Sequence, residues 1–378
     1  MLTLGGKVAG LRLERSRSSP RYEGGAFHNT HAAVPGLKKG TALPTLSELL
    51  CGGQRRTPSR PLPTVSPLAG WAKPVETRLR TTWLGHSTVL LEIDGVRVLT
   101  DPVWGERASP LAFAGPKRFQ PVPAHIDALP GLDAVVISHD HYDHLDHPSI
   151  LSLVALSADF PFITSLGVGA HLEAWGVPAH RIVELDWWES TPIAGGRASV
   201  TAAPSQHFSG RGVGSRNRTL WSSLVVRGER HAVFFSGDTG LTPEYADIRE
   251  RLGPFDIVML EVGAFHPAWG DIHLGPEHAL EAVALLGCKR FLPVHWGTFN
   301  LALHAWDDPP ETLVRLAASD VALVMPRLGE PVEPSRVERV DPWWRAVEGV
   351  AAAPLAPPLP ASADEEHALQ QAVQFPMD

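Results

Sequence analysis

Three histidines and two aspartates fall within six residues, His139-Asp140-His141-Tyr142-Asp143-His144, directly after the apolar run Ala134-Val135-Val136-Ile137. Holding that many polar groups at the end of a buried strand is unfavourable unless something pairs them. A divalent cation is the usual partner. The H-x-H-x-D-H spacing can serve two of them, with His139 and His141 toward one and Asp143 and His144 toward the other. Imidazole with few carboxylates and no thiolate suits zinc, with iron or manganese as alternatives.

Further ligands follow at separate strand ends. His207 comes after the strand-like Ala198-Ser199-Val200-Thr201-Ala202, Asp238 after Ala232-Val233-Phe234-Phe235, and His295 after Phe291-Leu292. Strand ends put side chains on one edge of a sheet, where loops converge into sites. Any one of these residues alone reads as structural; together with the histidine cluster they make a joint signal. Lys117 and Arg118 are cations suited to phosphate or simply to water. The basic segment Ser209–Arg218 is either a gate or a plain connection. Trp187-Trp188 and Trp343-Trp344 are expected to pack rather than to anchor in lipid.

With these residues in view, the chain resembles the metallo-β-lactamase fold superfamily. Its five metal-binding motifs correspond here to Asp101, the His139–His144 cluster, His207, Asp238 and His295. Within it the chain is most similar to the hydrolases that cleave N-acylphosphatidylethanolamine as a phospholipase D does. The likeness is carried by Trp83-Leu84-Gly85-His86-Ser87-Thr88, Gly115-Pro116-Lys117-Arg118-Phe119, Gly237-Asp238-Thr239-Gly240 and His295-Trp296-Gly297-Thr298-Phe299.

The resemblance implies two zinc ions per chain. His139, His141 and His207 would hold the first, Asp143, His144 and His295 the second, and Asp238 would bridge them. A hydroxide shared by two divalent ions about 4 Å apart forms near neutral pH and attacks phosphorus or a carbonyl carbon. Asp101 is implied as an orienting residue, and His86 as a buried histidine near the site. Asp143 and His273 are the implied catalytic residues. The family places a glutamine before that last histidine, where this chain has Ile272, so phosphate handling and substrate need not be identical. The leading expectation is a phosphodiesterase acting on a phospholipid. A lactone or carboxylic ester hydrolase is the alternative, and a catalytically silent metal-binding assembly protein is the reading from another class.

The elements that must position these residues are legible as periodicity. Asp94-Gly95 between two apolar runs marks a hairpin, 88–93 with 96–100. Strands are expected at 134–137, 162–165, 182–185, 198–203, 220–227, 231–235, 256–261, 290–294 and 321–325, and helices at 147–157, 167–175, 243–252, 276–286 and 310–318. Hairpins followed by strand–helix alternation indicate an α/β (α+β) fold. The resemblance makes it a four-layer αβ/βα sandwich over residues 78–345. No internal repeat shows in the letters.

The 378 residues carry a net charge of −8, which argues against nucleic acid as a partner. Residues 1–80 alone are net +9, so the N-terminal extension 1–77 is read as a basic, partly flexible arm that meets either anionic lipid or its own acidic domain. Residues 346–378, with Ala-Pro repeats and then acids, read as a disordered tail. Residues 1–30 and 346–378 lack core periodicity and ligands, and are expected to be dispensable for metal binding. The two cysteines, Cys51 and Cys288, form no C-x-x-C pair. With no apolar run long enough to span a membrane and no signal-peptide core, a cytoplasmic location is expected, with peripheral membrane contact left open. Oligomeric state is not legible.

Overall fold

The structure, a computed structural model, describes residues 2–31, 55–156, 159–212, 214–266 and 271–348. The tail beyond Glu348, Cys51 and most of the 31–54 stretch lie outside the described residues.

An N-terminal arm carries helix α1 (Gly10–Arg17) and a small hairpin, β1 (Tyr22–Glu23) with β2 (Ala26–Phe27). A short helix α2 (Leu68–Trp71) leads into the first half of the domain: β3 (Leu79–Gly85), β4 (Thr88–Ile93), β5 (Val96–Thr100), β6 (Ala134–Ile137), α3 (His147–Ala155), β7 (Phe162–Ser165), α4 (Gly169–Ala174) and β8 (Ile182–Leu185). The second half runs β9 (Ser190–Ile193), β10 (Ala198–Ala203), β11 (Ser223–Arg227), β12 (Ala232–Phe235), α5 (Glu244–Leu252), β13 (Ile257–Glu261), α6 (Gly275–Leu286), β14 (Arg290–Val294), α7 (Asp308–Leu316) and β15 (Ala322–Leu323), and β16 (Pro331–Val332) returns to the first sheet.

The two seven-stranded sheets have one plan. The first is ordered β16-β3-β4-β5-β6-β7-β8 and the second β15-β14-β13-β12-β11-β10-β9. In each, three antiparallel pairings give way to three parallel ones, at β5 in the first sheet and β12 in the second. The repeat absent from the letters is therefore present in the topology. Asp94 and Gly95 turn the β4–β5 hairpin with positive φ, 50° and 81°, as a two-residue turn matched to strand twist requires.

Side-chain alternation explains the layers. Val89, Leu91 and Ile93 of β4 face the core between the sheets, while Leu90 joins Leu99, Val135, Ile137, Ile150, Leu153 and Leu172 under helices α3 and α4. Both faces are covered, so the strands read as continuous apolar runs. The result is helix, sheet, sheet, helix: the four-layer sandwich.

Besides the small β1–β2 hairpin, three strands of the two large sheets escaped the sequence reading, each for a local reason. β3 contains Arg80-Thr81-Thr82, yet all three are buried: Arg80 is ion-paired with Glu92 on the neighbouring strand. β9 and β16 are short edge strands carrying proline. The strand foreseen over 220–227 begins only at Ser223, because Leu220 and Trp221 turn away to pack with Phe27, Leu166 and Trp187. Both tryptophan pairs pack inward, with Trp344 fully buried.

The arm revises the expectation that residues 1–30 are dispensable. Arg12 pairs with Glu184 at 2.7 Å, and Arg15 with Glu189. Phe27 has no exposed surface. Asn29 brackets His207, its Nδ2 donating to His207 O at 2.9 Å while its Oδ1 accepts from His207 N at 3.1 Å. The charges of Arg12 and Arg15 are thus met by the domain's own acids. Phe27→Ala should lower the unfolding free energy by about 3–5 kcal/mol, the usual cost of emptying a buried aromatic site, measured by chemical denaturation. An unchanged midpoint would show the arm to be energetically peripheral.

Candidate metal centre

The ligand candidates meet at the strand ends that face each other across the two sheets. His139, His141, Asp143 and His144 follow β6, His207 follows β10, Asp238 follows β12 and His295 follows β14. His139 Nε2 lies 2.9 Å, and His207 Nε2 3.2 Å, from His141 Nδ1. Asp143 Oδ2 lies 2.9 Å from His86 Nε2 and 3.2 Å from His295 Nε2. Asp238 stands between these groups: its Oδ1 is 3.1 Å from His144 Nε2 and 3.2 Å from His295 Nε2, its Oδ2 3.7 Å from His207 Nε2 and 3.9 Å from His139 Nε2. Two sets thus converge, His139, His141, His207 and Asp238 in one and His86, Asp143, His144 and His295 in the other, each with its ligand atoms within 4.8 Å of one another.

Three of the rings, those of His144, His139 and His207, are tied outward on their far side. His144 Nδ1 donates to Asp101 Oδ2 at 2.6 Å. Ser138 Oγ donates to the same oxygen at 2.7 Å and lies 2.9 Å from His139 Nδ1. His207 Nδ1 donates to Ile272 O at 2.8 Å. A proton held on the outer nitrogen leaves a lone pair on the inner one, which is what a metal requires. Backbone strain marks the same place: His86, Asp101 and His295 have φ of 52°, 31° and 65°, a region side chains other than glycine rarely enter.

The donors fit cations. Asp238 Oδ1 and His144 Nε2 are buried without a hydrogen-bond partner despite their closeness. Burial opposes charge on Asp238 and Asp143, yet the surrounding imidazoles hold both well below the usual carboxylate range. Burial would likewise lower His295, but Asp238 and Asp143 push it up to about 10, and His144 is also raised well above the ordinary value. His139 and His207 are lowered, by burial first. Such a field draws positive charge into the centre, and divalent ions supply it without protonating the ligands.

The other expected site residues fall differently. His86 is buried beside His295, ring centroids 3.9 Å apart, and burial takes it down to about 3, so it is a neutral ring facing Asp143. Lys117 and Arg118 are not brought into the centre. Lys117 pairs with Glu106 at 2.8 Å at the surface. Arg118 is buried, donates to the carbonyls of Val103 and Gly105 and lies 4.9 Å over the Phe299 ring, so its donors are spent on backbone. Nor is the Ser209–Arg218 segment a free gate: Arg211 is buried, donates to the carbonyls of Asp140, Leu145 and Thr3, and stacks 4.0 Å over Tyr142. Asp140, the one acid of the motif outside both sets, is bonded to Gly210 N, Thr219 Oγ1 and His171 Nε2.

His273 lies at the edge of the centre, its ring 5.0 Å from that of His207 and 5.7 Å from that of His295. Sequence reading missed its neighbour Glu261, fully buried at the end of β13 and 3.1 Å from His273 Nδ1. The signal was available, an acid closing the apolar run Ile257-Val258-Met259-Leu260. Asn29 gave no such signal.

Residues 96–296 match the Beta-lactamase superfamily domain. The chain belongs to that superfamily. This metallo-β-lactamase-fold hydrolase is 45% identical over 347 residues to an uncharacterized protein of Mycobacterium tuberculosis, covering 90% of this chain and 91% of that one. It is 39% identical over 234 residues to the N-acyl-phosphatidylethanolamine-hydrolyzing phospholipase D 1 of Caenorhabditis elegans, covering 60% of this chain and 66% of the relative. Among solved structures, the isothiocyanate hydrolase from Delia radicum gut bacteria shares the fold, with a TM-score of 0.54 at 21% identity over 67% of this chain and 98% of that one.

Asp238→Asn should strip metal or abolish turnover, because a neutral amide cannot offset cationic charge as a buried carboxylate does. Elemental analysis of the purified variant beside its kinetics reads this directly; full loading with normal turnover would remove Asp238 from the ligand set.

Proposed function

We propose that this hydrolase is a binuclear zinc phosphodiesterase acting on a phospholipid, with N-acylphosphatidylethanolamine as the model substrate. The observation that carries the binuclear reading is Asp238, one carboxylate facing both histidine sets with different oxygens. The substrate class is supported by the likeness to the nematode phospholipase and by His273 at the rim.

Two divalent ions bound there would supply an activated water and polarise the phosphoryl oxygens. The protein's own share is geometry and protons. Asp101, directly and through Ser138, keeps His144 and His139 turned inward. Asp143, held by His86 Nε2, and Asp238 give the centre the negative charge that retains cations. His273 Nε2 is free of protein partners among the described residues, while Nδ1 is engaged with Glu261. It is the atom available to bond a phosphoryl oxygen or to give its proton to the departing alkoxide as the P–O bond breaks.

The test is turnover of N-acylphosphatidylethanolamine and bis(p-nitrophenyl) phosphate against a lactone panel, with zinc, iron and manganese measured on the same sample. Cleavage confined to lactones would replace the phosphodiester reading by the ester one. His273→Ala should retain its metal and lose roughly 10²–10⁴-fold in turnover of the lipid. The loss should be smaller on bis(p-nitrophenyl) phosphate, whose leaving group needs little protonation. Equal loss on both would make His273 a phosphate clamp instead.

Peripheral lipid contact belongs to the same proposal. Phe113 is 81% and Leu111 47% exposed, on a loop that the arm touches through Thr3 Oγ1 and Pro110 O. Flotation with phosphatidylethanolamine vesicles, weakened by Phe113→Ser, would support it; equal flotation of both proteins would not.

A further inference from the structure

Glu261 has no exposed surface. A carboxylate so placed is costly unless donors surround it. Its Oε1 accepts from Leu274 N at 2.8 Å and His273 Nδ1 at 3.1 Å, with Thr239 N at 3.4 Å, while Oε2 is buried without a partner. Among the described residues no lysine or arginine pairs with it, and His273 is its one ion-pair partner. Asp238 Oδ2, the next carboxylate oxygen near His273 Nδ1, is farther, at 3.9 Å. The residue before His273 offers no support of its own: Ile272 is buried, and its carbonyl is used by His207.

An imidazole whose Nδ1 proton is held by a buried carboxylate has its ring plane and tautomer set, which leaves Nε2 as the working nitrogen. We propose that Glu261 is the positioning residue of His273, gripping it by Nδ1–H from the end of strand β13 so that Nε2 is the atom offered to substrate. This rests on the reading in which His273 serves the reaction. The dyad joins a strand end and a loop that the metal ligands do not use, and gives the rim of the centre a fixed imidazole where a side chain on a loop would otherwise turn freely. It also accounts for an acid at the end of an otherwise apolar strand. A bound cation shared by Asp238, Glu261 and His273, whose ligand atoms lie within 4.8 Å of one another, is the competing use of the same groups.

The experiment combines a spectroscopic and a kinetic readout on the zinc-loaded protein. In a sample with ¹⁵N-labelled histidine rings, the His273 signals, assigned by their loss in His273→Ala, should show a protonated, hydrogen-bonded Nδ1. Glu261→Leu should shift those signals, and Glu261→Gln, which keeps the shape, guards against a variant that fails to fold. With metal content unchanged, Glu261→Gln should lower kcat on the phospholipid by about 10–100-fold with KM little altered. It should add nothing when combined with His273→Ala. Loss of metal in Glu261→Gln, an unshifted ring spectrum in both variants, or fully multiplicative kinetic effects would overturn the assignment. Should the native enzyme cleave only lactones, the phosphodiester reading falls by itself, and the ring spectrum and the same double-variant comparison on the lactone still decide the dyad.

Discussion

The placement of Asp238 governs the rest of this molecule. One buried carboxylate faces imidazoles from both halves of the chain, with His144 and His295 on one oxygen and His139 and His207 on the other. A carboxylate can occupy a dry interior only where positive charge or many donors meet it. Two sheets must therefore bring their strand ends together, and each imidazole must keep its proton on the outer side. The hydrogen bonds of Asp101, Ser138 and the Ile272 carbonyl serve that second condition. The strained backbone at His86, Asp101 and His295 is the conformational cost of it.

The sandwich meets the first condition through its symmetry of plan. Each sheet changes from antiparallel to parallel pairing near its middle, and the ligand-bearing loops after β6, β12 and β14 leave parallel strands at their carboxyl ends. That is where open α/β sheets gather functional loops. Rigid strands set the ligand positions, and buried side chains tie down the loops themselves. Arg211 ties the Ser209–Arg218 segment to the carbonyls of Asp140 and Leu145, while Arg118 braces the loops around Val103 and Gly105. In a sequence Arg118 looks like a substrate contact and Arg211 like part of a gate or a plain connection, because charge is visible there and its partners are not.

The N-terminal arm is the least expected part of the support. It reads as a basic arm for lipid or for its own domain, and Arg12 and Arg15 meet acids of the first half of the sandwich and of the loop joining the halves, while Asn29 holds both backbone polar groups of His207. A candidate ligand on a loop after an antiparallel strand has less lattice around it than one after a buried parallel strand. The arm supplies the missing partners. The nematode relative covers only 60% of this chain, so likeness to it cannot by itself describe how the whole chain is held together.

Most elements and the residues of the two converging histidine and aspartate groups, with His86 read as a neighbour of the site, were legible in the letters alone. Strand and helix periodicities survive in them because burial imposes a repeat of two or of 3.6 residues. A metal centre survives because few other uses tolerate three histidines and two aspartates together. Tertiary structure alone decided the partners. Arg80 and Glu92 are buried only because they face each other across β3 and β4, so β3 looks polar until it is paired. Arg118 and Arg211 became braces because carbonyls distant in sequence happen to surround them. Glu261 and His273 meet across 12 residues, from a strand end and a loop that no periodicity links. Hydrogen bonding and charge compensation are pairwise and non-local, whereas periodicity belongs to a single segment, and only the folded chain brings the pairs together.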